Sequence, residues 1–132
     1  MSQLLSFPAA DGDPPSNALP ILLTVARDDA HVRLTVVGDV DLCTAPLLHD
    51  ALDAALDGRP SRVDVDLSGV TFLDSSGLHA LIRASWSAQR SATELAFVCV
   101  PPLVTRLLQL TGLWRVLPVA STTTGTARGT TA

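Results

Sequence analysis

Between residues 20 and 119 the apolar residues change period again and again, and no other feature of this chain narrows its fold so far. Residues 21–26 and 32–37 are β-rich runs separated by a short loop that starts Arg-Asp-Asp-Ala, which predicts a hairpin. Leu48, Ala51, Leu52, Ala55 and Leu56 then follow helical spacing. Thr44 is placed to cap that helix, Pro46 sits in its first turn and Gly58 stops it. Residues 62–67, Arg-Val-Asp-Val-Asp-Leu, alternate strictly and read as a strand with one wet face. Leu78, Leu81, Ile82 and Trp86 form a second helical stripe, opening after Asp74-Ser75-Ser76-Gly77. Residues 95–100 are a buried type of strand. Pro101 and Pro102 start a third helix carrying Leu103, Val104, Leu107 and Leu108, which Gly112 stops. Residues 114–119 read as a last short strand.

Strands that alternate with helices require crossover connections and hence parallel pairing. The fold class expected is α/β, a single domain with a mostly parallel mixed sheet. Asp64 and Asp66 point to one face of their strand, which a helix layer would not readily tolerate, so the helices should pack mainly on one face. Residues 1–19, with Pro8, Gly12, Pro14 and Pro15, read as a flexible leader. Residues 120–132 are Thr-rich and low in complexity, and read as a disordered tail. The folded domain is therefore placed at 20–119, and 47% hydrophobic residues suffice to build its core.

The net charge of -4 argues against nucleic acid, whose binders carry a basic face. All nine cations are Arg, and the absence of Lys excludes Schiff-base chemistry and a P-loop lysine. Cys43 and Cys99 have no metal or CxxC spacing and read as reduced thiols. His31, His49 and His79 lack metal-ligand spacing, so no metal is expected. The first cation is Arg27, which rules against a secretory signal, and no apolar run has the roughly 18 residues of a membrane span. The expected location is cytoplasmic.

The charge is segregated. Residues 39–74 carry eight Asp and two Arg, net -6, whereas residues 75–132 carry five Arg and one Glu, net +4. Most of these acids are accounted for as solvated strand and helix faces. Asp39, Asp41 and Asp74 differ, because each stands where a strand or its following loop ends, on the side where ligands meet α/β sheets. Asp74-Ser75-Ser76-Gly77-Leu78 opens a helix, and its Asp and Ser oxygens suit capping. A functional role adds to capping: a serine there is held rigidly and exposed, and Gly77 removes bulk that would hinder an approaching partner. A phosphate on it would bring about -1.5 to -2 charges and would be tolerated by the free N–H groups of the helix start. No GxSxG elbow surrounds these serines, and His79 alone on the next turn is a weak base candidate, so the chain is not expected to be an enzyme. His79, Arg83 and Arg90 lie near one helix face, either as part of a partner surface or as a solvated face.

Three segments resemble the STAS domain of bacterial anti-sigma-factor antagonists. Gly38-Asp39-Val40-Asp41 with Thr44-Ala45 resembles the family's loop after the second strand. Residues 70–78, Val-Thr-Phe-Leu-Asp-Ser-Ser-Gly-Leu, resemble its phosphoacceptor motif. Pro102 to Val104, Arg106, Leu107 and Thr111-Gly112-Leu113 resemble its third helix and closing turn. The resemblance spans roughly residues 20 to 118. It implies phosphorylation at Ser75; the partner surface is expected on Asp39, Asp41, Thr44, Asp74, Ser76, Gly77, His79 and Arg83. It implies a partner-switching cycle. The unphosphorylated chain binds an anti-sigma factor serine kinase and frees the sigma factor, phosphorylation abolishes binding, and a PP2C-type phosphatase restores the hydroxyl. ATP belongs to the kinase, so no cofactor is assigned to this chain. The same resemblance leaves a second role open, a STAS subunit of a stressosome-like scaffold or of a lipid-transport complex. His79 at a position often small in the family, the Pro-containing leader and the Thr-rich tail in place of a C-terminal helix depart from the pattern.

Overall fold

The computed structural model describes residues 2–3 and 21–120. Strands β2 (Ile21–Asp28) and β3 (His31–Val40) form the expected hairpin, turning through Asp29 at φ 60°, a conformation that Asp tolerates better than most residues. Helix α1 (Ala45–Leu56) buries all five residues of its apolar stripe. Strand β4 (Arg62–Leu73) pairs parallel with β3 and with β5 (Glu94–Val98), separated in sequence by α2 (Ser75–Arg90). Helix α3 (Pro102–Thr111) ends at Gly112, whose φ of 79° makes the left-handed C-cap. The sheet order is β1-β2-β3-β4-β5, mixed as expected. Its first member, β1 (Ser2–Gln3), adds to the β2 edge within what the sequence reads as leader. The rest of the leader and the Thr-rich tail from 121 lie outside the described residues.

Alternation along the strands sorts the sheet into two faces. Leu23, Leu34, Val36, Val63, Val65 and Phe97 on one face are sealed against Leu48, Leu52 and Leu81 of α1 and α2. The opposite face carries Arg33, Asp64, Asp66 and the partly exposed Leu22 and Val37. The helices thus pack mainly on one face, but the other is not simply wet. Asp64 is buried beneath long cationic neighbours: His31 Nε2 lies 2.9 Å from one carboxylate oxygen and Arg62 donates to the other at 2.9 Å. Arg62 also reaches Glu94 at 3.1 Å, and Arg33 reaches Asp66 at 2.8 Å. Burial alone would raise the Asp66 carboxyl. Hydrogen bonds from the Ser68 backbone and side chain and from Arg33, with the Arg33 charge, more than reverse this and hold it below the usual carboxylate range. The same hydrogen bond raises the Arg33 guanidinium, against the opposing effect of burial.

Two elements differ from expectation. Strand β4 runs six residues past the alternating segment. It does so through a register shift that places Gly69 opposite Val37. A Cβ at Gly69 would stand 2.7 Å from Val37 Cγ2 and 3.1 Å from the Val36 carbonyl oxygen, so only glycine lets the two strands continue side by side. Residues 114–119 do not form a strand. Leu113–Arg115 is a 3-10 turn, and a single bridge joins Val119 to Phe97. Pro118 has no N–H to extend a ladder; its carbonyl accepts from the Phe97 N–H at 2.9 Å instead. Among the described residues no helix is long and apolar enough to cross a membrane, and no group of three or more His, Cys, Asp or Glu could hold a metal ion.

Candidate functional site

Because β3 and β4 are parallel neighbours, their carboxyl ends stop together, with Asp39 opposite Phe72 and Val40 opposite Leu73. The loops that follow are tied by a backbone hydrogen bond, Asp74 N–H to the Val40 carbonyl at 3.2 Å. This register brings Asp39, Asp41, Asp74 and Ser75, distant in sequence, to one edge of the sheet.

Each loop is fixed from within. The Asp41 carboxylate accepts the N–H groups of Cys43 and Thr44, both at 3.0 Å, and its carbonyl accepts from Ala45 at 2.8 Å. Thr44 holds the N-cap position of α1, yet its hydroxyl makes no capping bond to the helix. Instead it donates to the Asp39 carbonyl at 2.8 Å and accepts from the Asp41 N–H at 3.0 Å. Thr44 is buried, which corrects its expected place among the contact residues: it shapes the loop from behind. The Asp41 carboxylate instead holds the turn that leads into the helix, through the amides of Cys43 and of Thr44 itself.

At the start of α2, Asp74 Oδ1 accepts from Ser76 N–H at 2.8 Å and from Gly77 N–H at 3.3 Å. Capping is therefore present as expected. It also means that two of the N–H groups expected to receive a phosphate on Ser75, those of Ser76 and Gly77, are already taken by Asp74. Ser75 is exposed, Ser76 half-buried and Gly77 buried. A Cβ on Gly77 would collide with Leu73 and stand 2.8 Å from Val40 Cγ1. Gly77 thus seats α2 on the ends of β3 and β4; its lack of a side chain serves the domain's own packing rather than the approach of a partner. His79 and Arg83 are exposed one and two turns further along α2, with Trp86 and Arg90 beyond them, Trp86 57% exposed. They extend the surface away from the loops, about 12 Å along the axis by Arg83.

Thr71 was not foreseen. Its exposed hydroxyl donates to Asp39 Oδ1 at 2.6 Å, bridging the two strand ends and aiming that carboxylate. The outward phase of β4 would have indicated it, had the strand been followed beyond Gly69. Two apolar side chains missed as site residues also stand here, Leu42 at 74% and Phe72 at 48% exposure. The edge is thus acidic and apolar, with no cation in residues 39–44 or 71–78. Cys43, in the same loop, and Cys99 are both exposed free thiols.

Known proteins share this fold. A family model described as "Mlab, STAS domain" matches residues 23–118. The anti-sigma-F factor antagonist RsfB of Mycobacterium tuberculosis is 31% identical over 102 residues, covering 77% of this chain and 83% of that protein. The anti-sigma-B factor antagonist of Listeria monocytogenes is 29% identical over 93 residues, 70% of this chain and 82% of that one. The crystal structure of an anti-sigma factor antagonist from Mycobacterium paratuberculosis aligns with a TM-score of 0.69 at 32% identity, covering 77% of this chain and 86% of the other. With its sheet order, its capped serine loop and nearly all of its described core inside that match, this chain belongs to the STAS domain family.

Proposed function

We propose that the chain is an anti-sigma-factor antagonist whose binding to an anti-sigma serine kinase is switched off by phosphorylation at Ser75. The observation that carries this reading is an exposed hydroxyl on a rigid, capped helix start, beside three carboxylates at one sheet edge. The kinase transfers the γ-phosphoryl group of ATP to Ser75 Oγ, the hydroxyl proton passes to a base of the kinase, and ADP leaves. The product adds about -1.5 to -2 charges to a surface already acidic. With two of the helix-start donors held by Asp74, the phosphate stays at the surface, where it repels and desolvates poorly against a partner built for a hydroxyl. Release of the kinase and hydrolysis by a PP2C-type phosphatase complete the cycle. The names of the relatives above support the antagonist role.

Incubation with the cognate kinase and ATP should place one phosphate on Ser75 in a mass spectrum. Ser75→Ala should bind the kinase as the parent does, and Ser75→Asp should bind it roughly tenfold more weakly. Equal binding by the two variants sinks the electrostatic switch and favours the constitutive role of a scaffold or lipid-transport subunit.

A further inference from the structure

A second group of exposed apolar residues lies away from the serine edge, and its charge is opposite. Strand β5 runs parallel to β4 but stops level with Asp66, well short of the serine edge, and α3 carries the chain back so that Val119 can meet Phe97 in the parallel sense. Near the turn that follows α3, Leu110 is 78%, Trp114 51% and Val116 61% exposed. Isolated apolar residues on a surface are ordinary, but these three stand within one short stretch, at the end of α3 and in the turn that packs on it, and grouped exposure of this kind points to a contact. Arg106, one helical turn before Leu110, and Arg115 are exposed, and neither enters an ion pair among the described residues. No Asp or Glu occurs after Glu94. The serine edge is its complement: Asp39, Asp41 and Asp74 around Leu42 and Phe72, without a cation.

We infer that the chain associates with itself head to tail, the acidic apolar edge of one copy seated on the cationic apolar end of the next. Both surfaces of the contact are present on one molecule at separate places, which makes the contact heterologous and able to repeat. Complementary charge would orient the encounter, and burial of Leu42 and Phe72 against Leu110 and Trp114 would hold it. The contact covers Ser75, so an associated copy is shielded there from any enzyme. This inference is independent of the kinase reading.

Sedimentation velocity on the full chain, from micromolar to millimolar concentration, should show the average mass rising above 13.8 kDa and falling again with added salt. Arg106→Glu with Arg115→Glu spoils one end, and Leu42→Arg spoils the other. Each variant should weaken association roughly tenfold or more, with the circular dichroism of the parent. Their equimolar mixture retains one intact contact and should stop at a dimer, twice 13.8 kDa. A parent that stays monomeric throughout, association indifferent to either variant, or a mixture of two folded variants that forms no dimer would each overturn the inference. No kinase enters the measurement, so its failure leaves the switch at Ser75 standing.

Discussion

A single hydrogen atom in place of a methyl group decides whether α2 can sit where it does. Gly77 is buried over Val40 and Leu73. Leu73 could swing aside, but Val40 is stiff at χ1 and belongs to the strand end that carries the acidic loop. Gly77→Ala should therefore cost about 1–3 kcal/mol from overpacking, partly offset by at most about 1 kcal/mol of helix propensity. The measurement is the urea midpoint, and an unchanged midpoint would mean that the neighbours yield freely. From the sequence, Gly77 and Thr44 were legible as important but not for the right reason. Both stand inside loops whose neighbours come from another strand, and only the β3–β4 register reveals that Gly77 faces Val40 and that Thr44 faces the Asp39 carbonyl. Ser75, Asp39, Asp41 and Asp74 were legible because strand ends and helix starts can be read locally.

Among the elements, β4 carries the most information. Its first half announces itself through alternation, while its second half is concealed by Ser68-Gly69, residues that usually end a strand. What carries the strand onward is β3, which supplies a partner after the register shift, and no local signal shows that. The same dependence on neighbours failed residues 114–119, where a β-like composition met a turn and a proline. Order and class of the other elements from β2 to α3 followed from periodicity, whereas β1 fell within the expected leader. The open face of β4 also carries a pH response. Asp66 is held below its ordinary value in the folded state, so its contribution to stability is complete above about pH 4, the unfolded value, and is lost as pH falls through the lower folded one. The gap in urea midpoint between the parent and Asp66→Asn should accordingly be widest near neutrality and narrow towards acid. A gap constant from neutral to strongly acid pH would deny Arg33 and Ser68 their part.

At the scale of the whole molecule, charge is uneven: Asp39, Asp41 and Asp74 meet at the carboxyl ends of β3 and β4, while the only charged residues of α3 and its turn are Arg. An overall charge of -4 therefore understates the field at the serine edge. Association of the unmodified chain with the proposed anti-sigma kinase should slow roughly tenfold or more as ionic strength rises from about 0.05 to 0.5 M, as measured by stopped flow. A rate indifferent to salt would leave the acidic edge without a steering role. The asymmetry was visible in the sequence as a change of sign near residue 74, but its separation in space was not, because that depends on α3 turning the chain back along β5.

Asp74 already occupies the amides at the head of α2, which has a consequence for time as well as for binding. A phosphoryl group on the neighbouring serine, as proposed, would find these two amides taken and would stand at the exposed surface, open to hydrolysis. Its lifetime would then be set by the opposing enzymes, so the molecule would keep no memory of its own and would report the present balance of the two.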